Sequence, residues 1–229
     1  MSIVLSPRLQ RIADYVLPGE KVIDVGTDHA YIPIWLLQSG VCAAAAATDI
    51  KPGPLANAAR DAEKYGVDKK LTLLLCDGLS GCSADMADTI IIAGMGGETI
   101  MGILDAAPWA WEKRLILQPQ TKQPELRTWL TQRGLAVLDA ALAYDAGRIY
   151  LVWLVGRGEM RPCANVDPIL VDKRDPLLKP YTEDHIKHLR KQIQGMERSG
   201  RSDPELLAAC RAELAELLRL HEEVLSWQA

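Results

Sequence analysis

Residues 21–33, KVIDVGTDHAYIP, contain the stretch that decides the fold of this chain. The β-branched residues within 22–25 form a short apolar run, which predicts a buried strand. The run ends at Gly26, which has no Cβ to obstruct a ligand and adopts backbone conformations that other residues resist. A helix is predicted from about Ala30 to residue 38. A strand, a glycine turn and a helix in this order are typical of the first unit of a nucleotide-binding α/β sheet.

The acidic side chains around this turn favour a nucleoside without phosphates. In the dinucleotide-binding pattern G-x-G-x-x-G, Gly26 supplies the first glycine, but Asp28 and Tyr31 hold the places of the second and third. Asp24 precedes the turn and Asp28 lies within it, so a phosphate would meet charge repulsion. The turn therefore suits a cationic, phosphate-free nucleoside such as S-adenosylmethionine. The alternative is an ordinary tight turn of an α/β domain. In either case, Thr27 or Asp28 is the predicted cap of the helix.

Composition and charge limit the classes of protein to which the chain can belong. Its 229 residues are 48% apolar and 24% charged, which is globular and long enough for one full core plus an appendage. No signal peptide or membrane span is indicated. The five cysteines show no C-x-x-C pair and no histidine at metal spacing, which predicts reduced thiols, no metal site and a cytoplasmic protein. A formal net charge of −4 argues against a generally basic nucleic-acid binder but allows a local basic face.

Two further acids follow predicted strands. Residues 43–50 predict a second strand ending at Asp49, which lies 23 residues after Gly26 and is placed to hydrogen-bond ribose hydroxyls, with Ile50 beside it. The alternative role for Asp49 is to cap a helix over residues 52–66. Leu71–Leu75 predicts a third strand, followed by Asp77 and Gly78. Because ligands of doubly wound sheets bind at the carboxyl ends of the strands, Asp77 is the candidate partner of an adenine amino group.

The fourth predicted strand, residues 87–93, leads into a glycine-rich segment at 94–97. Gly94, Gly96 and Gly97 flank and follow Met95, and they let the backbone approach a ligand closely. A fifth strand is predicted at 115–117, between helices that begin near 100 and 126. Residues 135–144 and 148–155 then form two strands joined by a short turn, which predicts an antiparallel hairpin. This layout resembles the seven-stranded α/β sheet of class I (Rossmann-like) methyltransferases rather than that of dehydrogenases.

The last third of the chain predicts a separate helical hairpin. The predicted divisions are a methyltransferase domain at 1–157, a polar linker at 158–172 and an antiparallel coiled-coil hairpin at 173–229. Apolar residues recur at helical spacing on both sides of a break at Gly200, after which Ser202, Asp203 and Pro204 restart the helix. Basic residues concentrate in the first helix and its lead-in: Lys173, Arg174, Lys179, Lys187, Arg190, Lys191, Arg198 and Arg201. They either contact phosphates or belong to a solvated, salt-bridged helix pair.

Five segments together closely resemble one family, the bacterial tRNA (adenine-22-N1)-methyltransferases known as TrmK. They are DVGTDHAYIP (24–33), ATDIKPGPL (47–55), CDGL (76–79), IIIAGMGGETI (90–100) and LILQPQ (115–120), in that order. The resemblance covers roughly residues 5–156, and the helical hairpin matches in character. Asp49 departs from the glutamate expected in the family, and either carboxylate can hold a ribose.

The resemblance implies an enzyme with S-adenosylmethionine as methyl donor and tRNA as acceptor. The catalytic candidates are Asp28, His29 and Met95. The candidates for cofactor binding are Asp24, Gly26, Asp28, His29, Tyr31, Asp49, Ile50, Asp77, Gly78, Gly94, Met95 and Gly96. His29 has a helix-capping or core role as its alternative. A monomer without membrane contact is expected, with a weak dimer as the alternative.

In the expected reaction, N1 of a flipped-out adenine attacks the sulfonium methyl in line, and the protein aligns the reactants and excludes water. Residues 94–97 carry no Asn/Asp-Pro-Pro-aromatic block of the kind that grips exocyclic amines. Asp28 and His29 are placed to orient the base or to accept a proton. The two alternative functions are a nicotinamide-dependent oxidoreductase and a non-catalytic RNA-binding protein with a retained nucleoside pocket.

Overall fold

The computed structural model describes residues 2–163, 165–199 and 203–227, and it forms two compact units, Met1–Met160 and Arg161–Ala229. The strands of the first unit are β1 (Lys21–Val25), β2 (Ala44–Asp49), β3 (Leu71–Leu75), β4 (Thr89–Gly96), β5 (Arg114–Thr121), β6 (Leu135–Asp145) and β7 (Arg148–Arg157). Its α-helices are α1 (Pro7–Ala13), α2 (Tyr31–Gln38), α3 (Pro52–Lys64), α4 (Gly97–Asp105) and α5 (Gln123–Gln132), and those of the second unit are α6 (Pro168–Asp172), α7 (Leu178–Ser199) and α8 (Pro204–Ser226).

All seven strands form one sheet in the order β3-β2-β1-β4-β5-β7-β6. Strands β1 to β5 are parallel, whereas β7 runs antiparallel to both β5 and β6. The seven-stranded α/β methyltransferase sheet with its closing hairpin is therefore confirmed. Because β1 to β5 run the same way, the segments that follow them all emerge at one edge of the sheet.

The middle of the sheet is buried because helices cover both of its faces. Ile90, Ile91 and Ile92 of β4 are fully buried, which explains why this strand has a continuous apolar run rather than an alternating one. The alanine-rich strand β2 pairs with β1 and β3, and its small side chains at 45–47 are buried as well. Its position between two parallel strands outweighs the low strand propensity of alanine.

The cap of helix α2 differs from the sequence prediction. Helix α2 begins at Tyr31, and its N-cap position is Ala30, in the left-handed conformation at φ 52°. Thr27 Oγ1 accepts a hydrogen bond from the Ala30 amide at 2.9 Å, so Thr27 stabilises the turn before the helix rather than the helix itself. Ser6 occupies the N-cap position of α1, but its hydroxyl donates to Asp145 Oδ2 at 2.6 Å and makes no cap hydrogen bond.

The second unit is an antiparallel helix pair. Contacts between α7 and α8 join residues progressively farther apart in sequence: Glu197 with Arg211 at 2.6 Å, Gln192 with Cys210 at 3.7 Å and Thr182 with His221 at 2.8 Å. Asp203 accepts a hydrogen bond from the Glu205 amide at 2.9 Å, so it is the cap of α8. The predicted break at Gly200 and the predicted roles of Arg201 and Ser202 lie outside the described residues.

The stretch predicted as a linker is partly structured. Helix α6 forms within the stretch, with Asp167 accepting a hydrogen bond from the Ile169 amide as its cap. Leu170 of this helix is fully buried, so the stretch contributes to a core. Within the described ranges, no helix combines the length and the apolar character needed to cross a membrane.

Candidate active site

A cavity of about 390 Å³ lies at the edge of the sheet where β1, β2, β3 and β4 end. Its volume falls in the range of small-molecule sites. It is lined by residues from the segments after these strands and from α4: Val25, Gly26, Asp28, Thr48, Asp49, Ile50, Lys51, Pro54, Asp77, Gly78, Met95, Thr99 and Ile103. The strand-end positions predicted from the sequence therefore meet in one place.

The glycine turn after β1 forms one wall of the cavity. Gly26 has φ +73°, a backbone conformation that L side chains rarely adopt. Its amide and that of Thr27 both donate to the Thr48 carbonyl, at 2.8 and 3.0 Å, which ties the turn to the end of β2. A Cβ on Gly26 would stand 2.0 Å from Met95 Cε, so the Met95 side chain packs directly against this glycine. Both a positive φ and a close neighbour therefore favour glycine here.

Asp49 occupies the cavity wall at the end of β2. Its Oδ1 accepts a hydrogen bond from the Lys51 amide at 2.8 Å, just before α3 begins. The described residues offer this carboxylate no other hydrogen bond, which leaves Oδ2 available to a ligand. The two roles weighed for Asp49, ordering the start of a helix and contacting a ribose, are therefore compatible, and the second stays a prediction.

The opposite wall is built by the segment after β3. Thr48 Oγ1 donates to the Gly78 carbonyl at 2.9 Å and holds this segment against β2. Asp77 is exposed, and Ile50 leaves 63% of its surface accessible, which is unusual for so large an apolar side chain. An apolar surface beside a carboxylate has the chemistry that binds an aromatic ring bearing an amino group.

The cavity is acidic. Asp28, Asp49 and Asp77 line it, and Lys51 is the basic residue of its wall. This charge balance favours a cation and disfavours a phosphate. The side-chain chemistry therefore fits a sulfonium nucleoside better than a dinucleotide.

Asp24 lies beneath the glycine turn rather than on the cavity wall. It is buried, and burial raises the pKa of its carboxyl to about 6, although a hydrogen bond with the Thr27 side chain and the nearby Arg8 charge act in the opposite direction. A carboxyl that loses its proton near neutral pH inside the protein destabilises the fold when it ionises.

We expect Asp24 to make the ligand-free protein less stable as the pH rises from about 4 through about 6. The folded pKa lies above the unfolded one, so the favourable contribution is complete at low pH and is lost as the carboxyl ionises. Because the folded pKa of Asp24 lies about two pH units above the unfolded one, ionisation can lower the free energy of unfolding by at most about 3 kcal/mol. We expect the loss in the free energy of unfolding to be about 2 kcal/mol, because the effective dielectric constant around the carboxyl exceeds that of dry protein. The stability of Asp24→Asn relative to wild type, measured by denaturant unfolding, should therefore increase by about 2 kcal/mol between pH 4 and pH 7.5. A difference that does not change with pH would contradict the prediction.

His29 is oriented by a neighbour that the sequence did not indicate. Its Nδ1 lies 2.8 Å from Asp61 Oδ2 of α3, and its ring stacks on Tyr31 with centroids 4.9 Å apart. Its Nε2 lies 3.7 Å from Asp28 Oδ2, so the histidine bridges two acids, one of which lines the cavity. His29 and Tyr31 themselves lie outside the cavity wall, and their predicted binding roles stay predictions.

The glycine-rich segment after Ala93 does not form a simple loop. Strand β4 continues to Gly96, and of this segment only Met95 lines the cavity. The tandem glycines instead face the end of β5. A Cβ on Gly96 would stand 3.0 Å from Thr121 Oγ1, and one on Gly97 would stand 2.7 Å from the Lys122 carbonyl oxygen and 2.9 Å from that of Thr121.

Gly97→Ala should therefore destabilise the protein by about 2 kcal/mol, the usual cost of overpacking, because its Cβ meets backbone atoms that cannot rotate away. Gly102 is the matched control. It lies in the same helix with nothing within 4 Å of a Cβ, so Gly102→Ala should stabilise the protein by about 0.5–1 kcal/mol. Denaturant unfolding measures both changes. Equal effects of the two substitutions would show that the backbone contact at Gly97 is unimportant.

Comparisons with known proteins agree with this geometry. A family model described as a methyltransferase domain matches residues 5–153. The tRNA (adenine(22)-N(1))-methyltransferase of Bacillus subtilis is 32% identical, in an alignment that covers 96% of this chain and 97% of that protein. The chain belongs to the tRNA (adenine-22-N1)-methyltransferase family.

Solved structures of the TrmK family have the same fold over nearly the whole chain. The crystal structure of Bacillus subtilis TrmK is 30% identical, with a TM-score of 0.81, and the match covers 97% of this chain and 99% of that one. A Streptococcus pneumoniae protein solved in complex with S-adenosyl-L-methionine is 29% identical, with a TM-score of 0.83, over 94% of this chain and 100% of that one. Both matches extend through the helical second unit.

Within this TrmK-family chain, most of the predicted ligand contacts converge. Seven of them line the cavity: Gly26, Asp28, Asp49, Ile50, Asp77, Gly78 and Met95. The other five do not, and their binding roles stay predictions: Asp24, His29, Tyr31, Gly94 and Gly96. The sequence prediction missed six lining residues: Val25, Thr48, Lys51, Pro54, Thr99 and Ile103. Thr99 and Ile103 are four residues apart on α4, so they share a helix face, and that spacing was the available signal.

Proposed function

We propose that this protein transfers the methyl group of S-adenosylmethionine to N1 of adenine-22 in bacterial tRNA. The observation that carries the proposal is the acidic cavity at the strand ends, on a chain 32% identical over 96% of its length to a tRNA (adenine(22)-N(1))-methyltransferase. An oxidoreductase is disfavoured, because Asp28 and Asp49 in the cavity would repel the pyrophosphate of a nicotinamide dinucleotide.

The donor fits the cavity by charge and by shape. Asp49 would bind the ribose hydroxyls, since its Oδ2 is available at the end of β2. Ile50 offers an apolar surface to the adenine ring, and Asp77 a carboxylate to its amino group. The Asp28 carboxylate would attract the positively charged sulfonium of the donor. S-adenosylmethionine supplies a methyl group activated by a sulfonium charge.

The chain's own residues have a positioning role in this reaction. Adenine N1 carries an in-plane lone pair, so no residue needs to remove a proton before it attacks. Met95 packs against Gly26 and pairs with Pro119 of β5, so its side chain would form part of the surface that an acceptor meets at the cavity. The His29 ring, which pairs with Asp61, lies 3.7 Å from Asp28, so a cavity carboxylate stands beside this pair and near the positive charge as it passes from sulfur to the base.

The proposed tRNA surface lies on α7. Lys187, Arg190 and Lys191 are exposed on this helix, and they make no ion pair within the described residues. Basic side chains free of protein partners can bind phosphates and release counterions. We also propose a cytoplasmic location, where tRNA is found, and a monomeric state that sedimentation can test.

Methyl transfer to defined tRNA transcripts tests the proposed function. The protein is incubated with methyl-labelled S-adenosylmethionine and an unmodified bacterial tRNA transcript carrying adenosine at position 22, and the nucleosides are then analysed. We expect 1-methyladenosine from this transcript and no label in a matched transcript carrying guanosine at that position. Label in neither transcript, or equal label in both, would overturn the proposal.

A further inference from the structure

The ends of β4 and β5 carry two opposed bulges. Ala93 pairs with Gln118, Met95 with Pro119 and Gly96 with Thr121, so Gly94 on one strand and Gln120 on the other have no partner in the ladder. Bulges of this kind redirect side chains and are frequent beside active sites. Gly94 has φ +77°, so its backbone conformation is one that favours glycine.

Two polar side chains meet above the bare backbone of Gly94. A Cβ at this position would stand 3.6 Å from Arg8 Nη1 and 3.8 Å from Gln120 Nε2. Arg8 is fixed from two sides, because it donates to Gln118 Oε1 at 3.1 Å and lies over the Tyr150 ring at 5.2 Å. These groups form a polar surface that the donor cavity does not include.

Gln120 is the part of this surface that is able to bind a ligand. Gln118 is only 1% exposed, and its carbonyl oxygen already accepts a hydrogen bond from Arg8. Gln120 is exposed, and its amide makes no hydrogen bond with the part of the chain that the structure describes. Its donor and its acceptor are therefore both available.

This surface adjoins the wall of the proposed donor cavity at Met95. Gly94 is the immediate neighbour of Met95, whose side chain lines the donor cavity and packs against Gly26. Consecutive Cα atoms lie about 3.8 Å apart, and the reacting atoms of a methyl transfer must approach to about 3–3.5 Å. An acceptor base above Gly94 would therefore lie beside the donor, with one residue of backbone between the two surfaces.

We propose that Gln120 recognises the acceptor adenine through its N6 amino group and N7. This inference rests on the proposed function. A glutamine amide matches that edge of adenine, because its oxygen accepts from N6 and its nitrogen donates to N7. This edge lies away from N1, so the contact orients the base and leaves the N1 lone pair free to attack. Gln120 thus selects adenine over guanine, whose O6 presents an acceptor where adenine presents a donor.

The test is a double-mutant cycle between the protein and the base. Wild type and Gln120→Ala are each assayed on two tRNAs joined from synthetic halves, one with adenosine and one with 7-deazaadenosine at position 22. Replacing N7 by carbon removes one partner of the amide. We expect kcat/KM of wild type to fall about 5- to 150-fold on the 7-deaza substrate, the discrimination of a bidentate pair. Gln120→Ala should lose a similar factor on adenosine and show little further loss on 7-deazaadenosine.

The inference would be overturned if the losses from Gln120→Ala and from 7-deazaadenosine multiplied when combined. Full activity of Gln120→Ala on the adenosine substrate would also overturn it. The intrinsic reactivity of the altered base cancels in the cycle, because both proteins meet the same substrate. Donor affinity measured by calorimetry should stay within about twofold, because Gln120 lies outside the donor cavity. Wild-type transfer to the adenosine substrate reports the proposed function alone, whereas the coupling reports Gln120.

The matched control is Gln132→Ala. Gln132 is also an exposed glutamine, but it ends α5 at the opposite edge of the sheet, just before β6 begins. It should leave both substrates unaffected. If Gln132→Ala reproduced the pattern of Gln120→Ala, the effect would come from general surface changes, and the recognition role would be lost.

Discussion

Asp49→Ala should weaken S-adenosylmethionine binding by about 1.5–3 kcal/mol, or about 10- to 150-fold in Kd. The carboxylate stands on the cavity wall at the end of β2, and one of its oxygens is free of protein hydrogen bonds within the described residues. A ribose hydroxyl bound to a charged acceptor contributes an amount of this size, and alanine leaves that hydroxyl unpaired. Isothermal titration calorimetry on the folded variant measures the change.

Two substitutions separate the ribose contact from the local turn. Asp49→Asn keeps an oxygen that accepts from the Lys51 amide but removes the charge, so it should lose donor affinity with little loss of stability. Asp49→Glu keeps the charge and should bind the donor within a few-fold of wild type. Asp68→Ala, an exposed acid before β3, is the control outside the cavity. Unchanged affinity in Asp49→Ala would remove this residue from the donor site.

The sequence was informative about the donor site because the ends of the strands that build it can be located from the sequence pattern. An apolar run followed by an acid, as at Asp49 and Asp77, marks both a strand and its carboxyl end. Parallel strands bring such ends together whatever the details of packing. The positions of Gly26, Asp49 and Asp77 at one edge therefore followed from pattern and topology alone.

Contacts between distant elements could not be predicted in this way. His29 pairs with Asp61 across 32 positions, and this pairing depends on how α3 rotates about its own axis when it packs on the sheet. Thr99 and Ile103 likewise reach the cavity because of the way in which α4 packs on the sheet. The opposed bulges at Gly94 and Gln120 arise from a register shift between two strands, which no single strand's sequence reveals.

Tertiary burial also explains why the predicted linker contains a helix. The stretch is polar and rich in proline, so its pattern indicates no core. Leu170 nevertheless becomes fully buried, and Asp167 with Pro168 supplies a good helix start. A short helix with one buried leucine gives too weak a periodic signal to be detected in the sequence.

A chain ending at Met160 should fold and bind S-adenosylmethionine with wild-type affinity. The first unit contains all seven strands of the sheet and every residue that lines the donor cavity. The same chain should lose tRNA affinity by on the order of a hundredfold or more, because it lacks the basic side chains of α7 in a protein with a formal net charge of −4. Calorimetry measures donor binding, and filter binding measures tRNA affinity.

Substitutions in the full chain test whether charge is the cause of this loss. Replacing Lys187, Arg190 and Lys191 by alanine should lower tRNA affinity less than truncation does. It should also reduce the salt dependence of binding, the slope of log Kobs against log[salt], by up to about 0.7–0.9 per lost phosphate contact. Alanine at Lys69 and Lys70, exposed residues just before β3, should leave this salt dependence unchanged. If the shortened chain bound and methylated tRNA as well as the full chain, the helical unit would have a structural role. The phosphate-binding surface would then belong to the first unit.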